Sequence, residues 1–312
     1  MAIRTAPATA ELSGGVGRSP RFASLARREA MLAYALMLPG ALVLILFMAY
    51  PFFLGIWLSL TDKRVGRAAY DFVGLDNYRW YWHDEIFRQT VKNTFIYGFG
   101  TVPFKLMLGL GLALLLNERF RGSRFARAGL LLPWIVPTAI SSLAWLMIFD
   151  PFLSPISLAL KDWGLISGNI NFLGTPWHAR ASLCLANVWR GIPFFAISIL
   201  AGLQAVPDDL HEAAALDGAN AWQRFWSVTY PVIRNIVLIT TLFSIIWTFA
   251  DFQLIYVITK GAPLNSTHVF GTYSYDQMRV GYLGDAATIS LYMFPILSVF
   301  AIIMLRFVRK ED

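Results

Sequence analysis

The chain has 312 residues, 57% of them hydrophobic and 14% charged, with a net charge of +7. Soluble domains run nearer to about 45–50% apolar and about 25% charged. The apolar residues also fall in charge-free blocks of 32, 22 and 20 positions (30–61, 128–149 and 286–305), each long enough for the about 20 residues a helix needs to cross a bilayer. This excludes a soluble enzyme, a disordered tail protein and a nucleic-acid binder.

Residues 1–29 form the first element, a tail rich in Ala, Gly, Ser, Pro and Thr that carries five arginines. Its first 20 residues are expected to be disordered. Residues 21–31 suit either a short interfacial helix with arginines on lipid phosphates or a plain positively charged flank. The apolar block that follows exceeds the about 7–15 residues of a cleavable signal core, so it is expected to remain as an anchor. No barrel-type alternation occurs, which leaves helices as the spanning structure.

Six spanning helices are expected, at about 31–60, 93–117, 128–149, 181–206, 235–259 and 286–306. The loop before the second holds Tyr78, Trp80, Tyr81 and Trp82, read as an interfacial belt. The second and fourth spans carry Lys105 and Arg190, and the fifth carries Asp251. Ionisable groups in a span are costly and mark functional sites by default. For Lys105, snorkelling to the interface or pairing within the bundle is the plainer expectation. Cys184 reads as packing. His83, His178, His211 and His268 are scattered, so no metal site is expected.

Orientation follows from the Lys and Arg distribution. With both termini inside, inner segments hold 14 such residues and outer segments 10. Density decides it: four cations fall within residues 118–127, whereas the six cations of the outer loop 61–92 are diluted by five acids over 32 positions. Both termini are therefore expected in the cytoplasm.

The inner segment 207–234 departs from a passive connection. Asp208 or Asp209 can cap a helix, Glu212-Ala213-Ala214-Ala215-Leu216 favours helix, and Gly218 suits a left-handed stop. A second short helix over about 220–229 would carry Trp222, Phe225 and Trp226 on one face, with Pro231 beginning the return into the membrane. The pair fits either a docking element for a partner groove or a loop packed on its own bundle.

Glu212-Ala213-Ala214, three residues, Gly218, nine residues, then Val228-x-Tyr230-Pro231 resembles the EAA motif of binding-protein-dependent ABC importer permeases. Val228 and Tyr230 replace the family's Ile and Leu. Phe72-Val73-Gly74-Leu75-Asp76-Asn77-Tyr78 followed by Asn93-Thr94 is similar to a sugar-permease pattern. Asn187-Val188-Trp189-Arg190-Gly191-Ile192-Pro193-Phe194 resembles the larger permease of maltose-type importers. Thr259-Lys260-Gly261-Ala262-Pro263 is close to the family's T-x-G-G-P. The resemblance covers residues from about 30 to the C-terminus.

That resemblance implies a six-helix, type I permease domain over 30–312 in the bacterial inner membrane, importing a sugar or, alternatively, a solute such as glycerol phosphate or a polyamine. It implies a second permease, an ABC ATPase homodimer that binds ATP and Mg, and an extracytoplasmic binding protein. The chain carries no G-x-x-x-x-G-K-[ST] loop, so it is not expected to be an enzyme or to hold a cofactor. The resemblance places ATPase coupling on Glu212, Ala213, Ala214, Asp217, Gly218, Trp222 and Pro231. It places the substrate path on Asn187, Trp189, Arg190, Gly191, Phe194, Ser244, Thr248 and Asp251. Arg190 and Asp251 suit either a bidentate grip on a polyhydroxylated ligand or a structural ion pair.

Overall fold

The computed structural model describes residues 20–118 and 120–309, with side chains from 29 to 307; of the 20 residues expected to be disordered, 1–19 lie outside them and Pro20 instead begins a helix. Helices are α1 (Pro20–Leu44), α2 (Tyr50–Ser59), α3 (Asp76–His83), α4 (Glu85–Asn117), α5 (Ser123–Ile135), α6 (Thr138–Ile148), α7 (Pro155–Asp162) and α8 (Pro176–Leu203). They continue with α9 (Asp208–Leu216), α10 (Ala221–Arg224), α11 (Tyr230–Phe249), α12 (Gln253–Ile258), α13 (Phe270–Arg279) and α14 (Leu283–Arg309). No β-strand occurs among the described residues, only two isolated bridges. Five helical stretches are long and apolar enough to cross a membrane, and six if α5 and α6 count as one span. The expected all-helical membrane architecture stands.

The chain divides into two units, Met1–Leu54 and Gly55–Asp312. In the first, the expected 21–31 helix is not separate but begins α1. Its large apolar side chains between Met31 and Phe53 are exposed, as suits a lipid-facing segment rather than a water-facing one.

In the second unit, α4, α8 and α11 share a core of Val102, Ala113, Phe195, Ile199, Ile233 and Phe249, against which Met293, Ile296 and Phe300 of α14 pack. Gly109 lets α4 close on α8: a Cβ there would collide with the Phe195 Cβ and lie 3.1 Å from the Ala196 backbone nitrogen. A second cluster joins Tyr81 and Phe87 to Phe270, Tyr273 and Ile289. Of the expected aromatic belt, Tyr81 is therefore core, while Trp80 and Trp82 are exposed.

Four expectations need correction. The 128–149 span is not straight: α5 and α6 meet at 90°. Val136 is extended (ψ 127°), because the Pro137 ring disfavours helical backbone in the residue before it. The 235–259 span is interrupted at 250–252, between α11 and α12. Pro231 does not start a new helix after a separate short one. Helical backbone runs unbroken from Ala221 to Phe249, with a π-turn at Phe225–Thr229 where the Tyr230 N–H donates to the Phe225 carbonyl. An identical arrangement, Ile45–Ala49 ahead of Pro51, lies in the first unit. In both, widening the turn accommodates a proline ring that would otherwise press on the carbonyl four residues back. Finally, neither Asp208 nor Asp209 caps α9; Pro207 precedes it and both acids sit in its first turn, where the helix dipole favours them.

Candidate functional site

On α8, Asn187, Arg190, Gly191 and Phe194 recur at the spacing of one helical face. That face lines a cavity of about 620 Å³, together with Ser244 and Thr248 of α11 and Asp251 of the 250–252 break. Seven of the eight expected substrate-path residues are thus brought together. The eighth, Trp189, is not among the lining residues; its ring packs edge-on against Trp145, with centroids 5.7 Å apart. One residue before Arg190, it is turned about 100° from that side chain and so away from the lining face.

Asp251 is the hub. It is 6% exposed, and its Oδ2 accepts from Tyr97 Oη at 2.8 Å, Asn187 Nδ2 at 2.9 Å and Arg190 Nη2 at 2.8 Å. Breaking α11 before Asp251 frees the backbone to point this carboxylate at α4 and α8. Arg190 also donates through Nη1 to Thr138 Oγ1 at 3.0 Å. The first residue of α6, beyond the 90° corner, therefore reaches the same guanidinium. Arg190 and Asp251 form an ion pair and line the cavity as well.

The remaining polarity of the cavity is held open. Asn187 Oδ1 is buried without a hydrogen-bond partner. Lys105, 3% exposed, donates from Nζ to Thr248 Oγ1 at 2.8 Å, so its expected partner within the bundle is this hydroxyl. Trp134, Trp247 and Phe252 supply aromatic lining, with Phe194 4.8 Å from Trp247 and 6.5 Å from Trp134 between ring centroids. Sequence reasoning singled out Lys105 as an ionisable group in a span but left it off the substrate path, and it assigned Trp134, Thr138 and Trp247 no place in the site. The signal available for Lys105 was its charge in an apolar span; for Thr138 it was the preceding proline.

The 207–234 segment is a second, separate feature. Gly218 has φ +83°; its N–H donates to the Ala215 carbonyl, and the Ala219 N–H to the Ala214 carbonyl. Those two bonds are a Schellman stop, which only a residue at ease in left-handed backbone completes cheaply. Asn220 and Gln223 then cap the next helix reciprocally at 2.8 and 2.9 Å, a capping box legible as N-x-x-Q. Glu212, Ala213, Asp217 and Gly218 are exposed and Ala214 half-buried. Leu216 is 90% and Trp222 70% exposed, and Pro231 is exposed as well.

The loop motifs are architectural. Asn77 Nδ2 donates to the Ser59 and Thr61 carbonyls, each at 2.9 Å, closing the C-terminal end of α2. Asn93 accepts from Arg180 and donates to the Asn265 carbonyl, tying α4 to α8 and to the loop after α12. In that loop Gly261 has φ +88°, and a Cβ there would strike the His268 ring.

The profile of the family described as binding-protein-dependent transport system inner membrane component matches residues 105–311. The chain is 35% identical to the trehalose/maltose transport system permease protein MalF of Thermococcus litoralis, over 89% of this chain and 94% of that protein. It is 33% identical to the sulfoquinovosyl glycerol transport system permease protein SmoG of Agrobacterium fabrum, over 91% and 92% respectively. It shares its fold with a chain of a bacterial ABC transporter involved in import of the acidic polysaccharide alginate, at a TM-score of 0.79 and 21% identity, covering 94% of this chain and 99% of that one. An apolar helical bundle, a polar cavity between its helices and an exposed helix–turn–helix that carries the EAA pattern thus agree with the sequence relationship: this chain belongs to the family of binding-protein-dependent transport system inner membrane components.

Proposed function

We propose that this chain is one of two permease subunits of an ATP-driven importer and that it passes a carbohydrate through the Arg190–Asp251 cavity. The observation that carries the reading is the cavity itself. Charged, amide and hydroxyl groups lie beside indole and phenyl rings, level with the middle of α8, whose ends lie about 20 Å away on either side of Arg190. Polar groups bond sugar hydroxyls, aromatic rings stack on their C–H faces, and Asn187 Oδ1 has a vacant acceptor for one such hydroxyl.

Both termini are cytoplasmic in this reading, on the Lys and Arg distribution, and α9 with the Gly218 turn faces the same side. That pair is the coupling element. Exposed Leu216 and Trp222 enter a groove of an ABC ATPase homodimer, Glu212 bonds its rim, and the Schellman turn keeps the element rigid enough to transmit movement. ATP and Mg belong to that partner. An extracytoplasmic binding protein delivers the solute, and closure of the ATPase shifts the bundle between inward and outward openings.

Proteoliposomes holding the two permeases and the ATPase, with ATP inside and the binding protein outside, test this. The reading predicts ATP-dependent carbohydrate accumulation that requires this chain; accumulation without ATP or without this chain contradicts it.

A further inference from the structure

Lys105 lies beside the Arg190–Asp251 pair but makes no ion pair of its own with it. Its Nζ reaches Thr248 Oγ1 at 2.8 Å, but an ammonium has three donors and a hydroxyl brings no countercharge. Asp251 is committed elsewhere: Tyr97, Asn187 and Arg190 all converge on its Oδ2, and its ion pair is with Arg190. Among the described residues lining the cavity, the charged ones are Lys105, Arg190 and Asp251, two cations against one anion.

The lysine is also built in. It is 3% exposed, and its stem crosses α8 at Gly191, where an added Cβ would stand 2.6 Å from Cδ and 2.7 Å from Cε. Thr248 holds the ammonium beside the cavity rather than letting it withdraw to an interface. A buried amine whose one nearby acid is already paired with another cation gains from an arriving anion, and a charge-assisted hydrogen bond to that anion is stronger than a neutral one.

We propose that the cavity takes a carbohydrate or polyol bearing one anionic group (carboxylate, sulfonate or phosphate), with Lys105 recognising that group and Thr248 positioning Lys105. This rests on the cavity being the solute path. Arg190, neutralised by Asp251, is left to orient hydroxyls.

The test is uptake by the complete transporter in proteoliposomes, with trehalose and maltose as neutral probes and glycerol 3-phosphate, galacturonate and sulfoquinovosyl glycerol as anionic ones. An anionic probe is expected to be transported. Lys105→Met should lower its kcat/KM by about 10- to 100-fold, the worth of a hydrogen bond to a charged group, and Lys105→Arg should restore most of it. Transport of a neutral sugar, with Lys105→Met unimpaired, overturns the charge assignment and leaves the importer reading standing. Equal loss for anionic and neutral probes makes Lys105 structural and overturns it too. ATP-dependent uptake of no probe at all overturns both readings.

Discussion

Arg190 Nη2 and Asp251 Oδ2 lie 2.8 Å apart, so the middle of α8 is fastened to the break between α11 and α12 by an ion pair. Both partners are substantially out of solvent, with side-chain exposures of 22% and 4%. Removing one partner from such a pair leaves an uncompensated buried charge, whereas removing both removes the conflict.

A double-mutant cycle reads this directly. Asp251→Ala alone should destabilise the protein by about 3–5 kcal/mol in the limit of full burial. Because Arg190 keeps partial solvent access, the lower end is expected. Arg190→Ala in the Asp251→Ala background should then cost little, giving a coupling of about 1–3 kcal/mol. Thermal unfolding in nanodiscs measures it, and additive losses would show that the contact contributes nothing as a pair.

His268 gives a pH signature outside the spans. It is 4% exposed, its Nδ1 lies 3.2 Å from Thr272 Oγ1, and its Nε2 lies 3.6 Å from Asp276. Burial lowers its pKa below the ordinary imidazole value, and the opposing pull of Asp276 is the weaker influence. The unfolded chain therefore binds the proton before the folded one does, so stability falls as pH drops below about 6.5, the ordinary histidine value. Comparing melting at pH 7.5 and 5.5, wild type should lose more stability than His268→Gln. An equal loss in both would assign the acid sensitivity to other groups.

Much of this was legible in the sequence, and the parts that were not have physical causes. Charge-free blocks such as 30–61 announce spans because lipid tolerates little else. Lys105, Arg190 and Asp251 stand out for the same reason. Their pairing was not readable, since Arg190 and Asp251 are 61 residues apart and Lys105 and Thr248 143. The 90° corner had a signal in Pro137 that hydropathy alone concealed. The break at Ala250–Phe252 had none, as neither Gly nor Pro marks it; the convergence of three donors on Asp251 is a tertiary cause. Trp189 was placed in the site by resemblance, although its offset from the 187–190–191–194 face argued otherwise. Gly218 was read correctly because its left-handed conformation is a local requirement.

In the proposed importer the work of a separate ATPase passes through residues 212–218, and solute-stimulated ATP hydrolysis by the assembled transporter measures that transmission. Glu212→Lys reverses the charge at the proposed contact, and Gly218→Asp strains the φ +83° turn. Both variants should assemble in the membrane but lose about tenfold or more of the stimulation, a loss of about 1.4 kcal/mol in coupling, while solute binding to the binding protein is unchanged. Wild-type stimulation in both variants would contradict it.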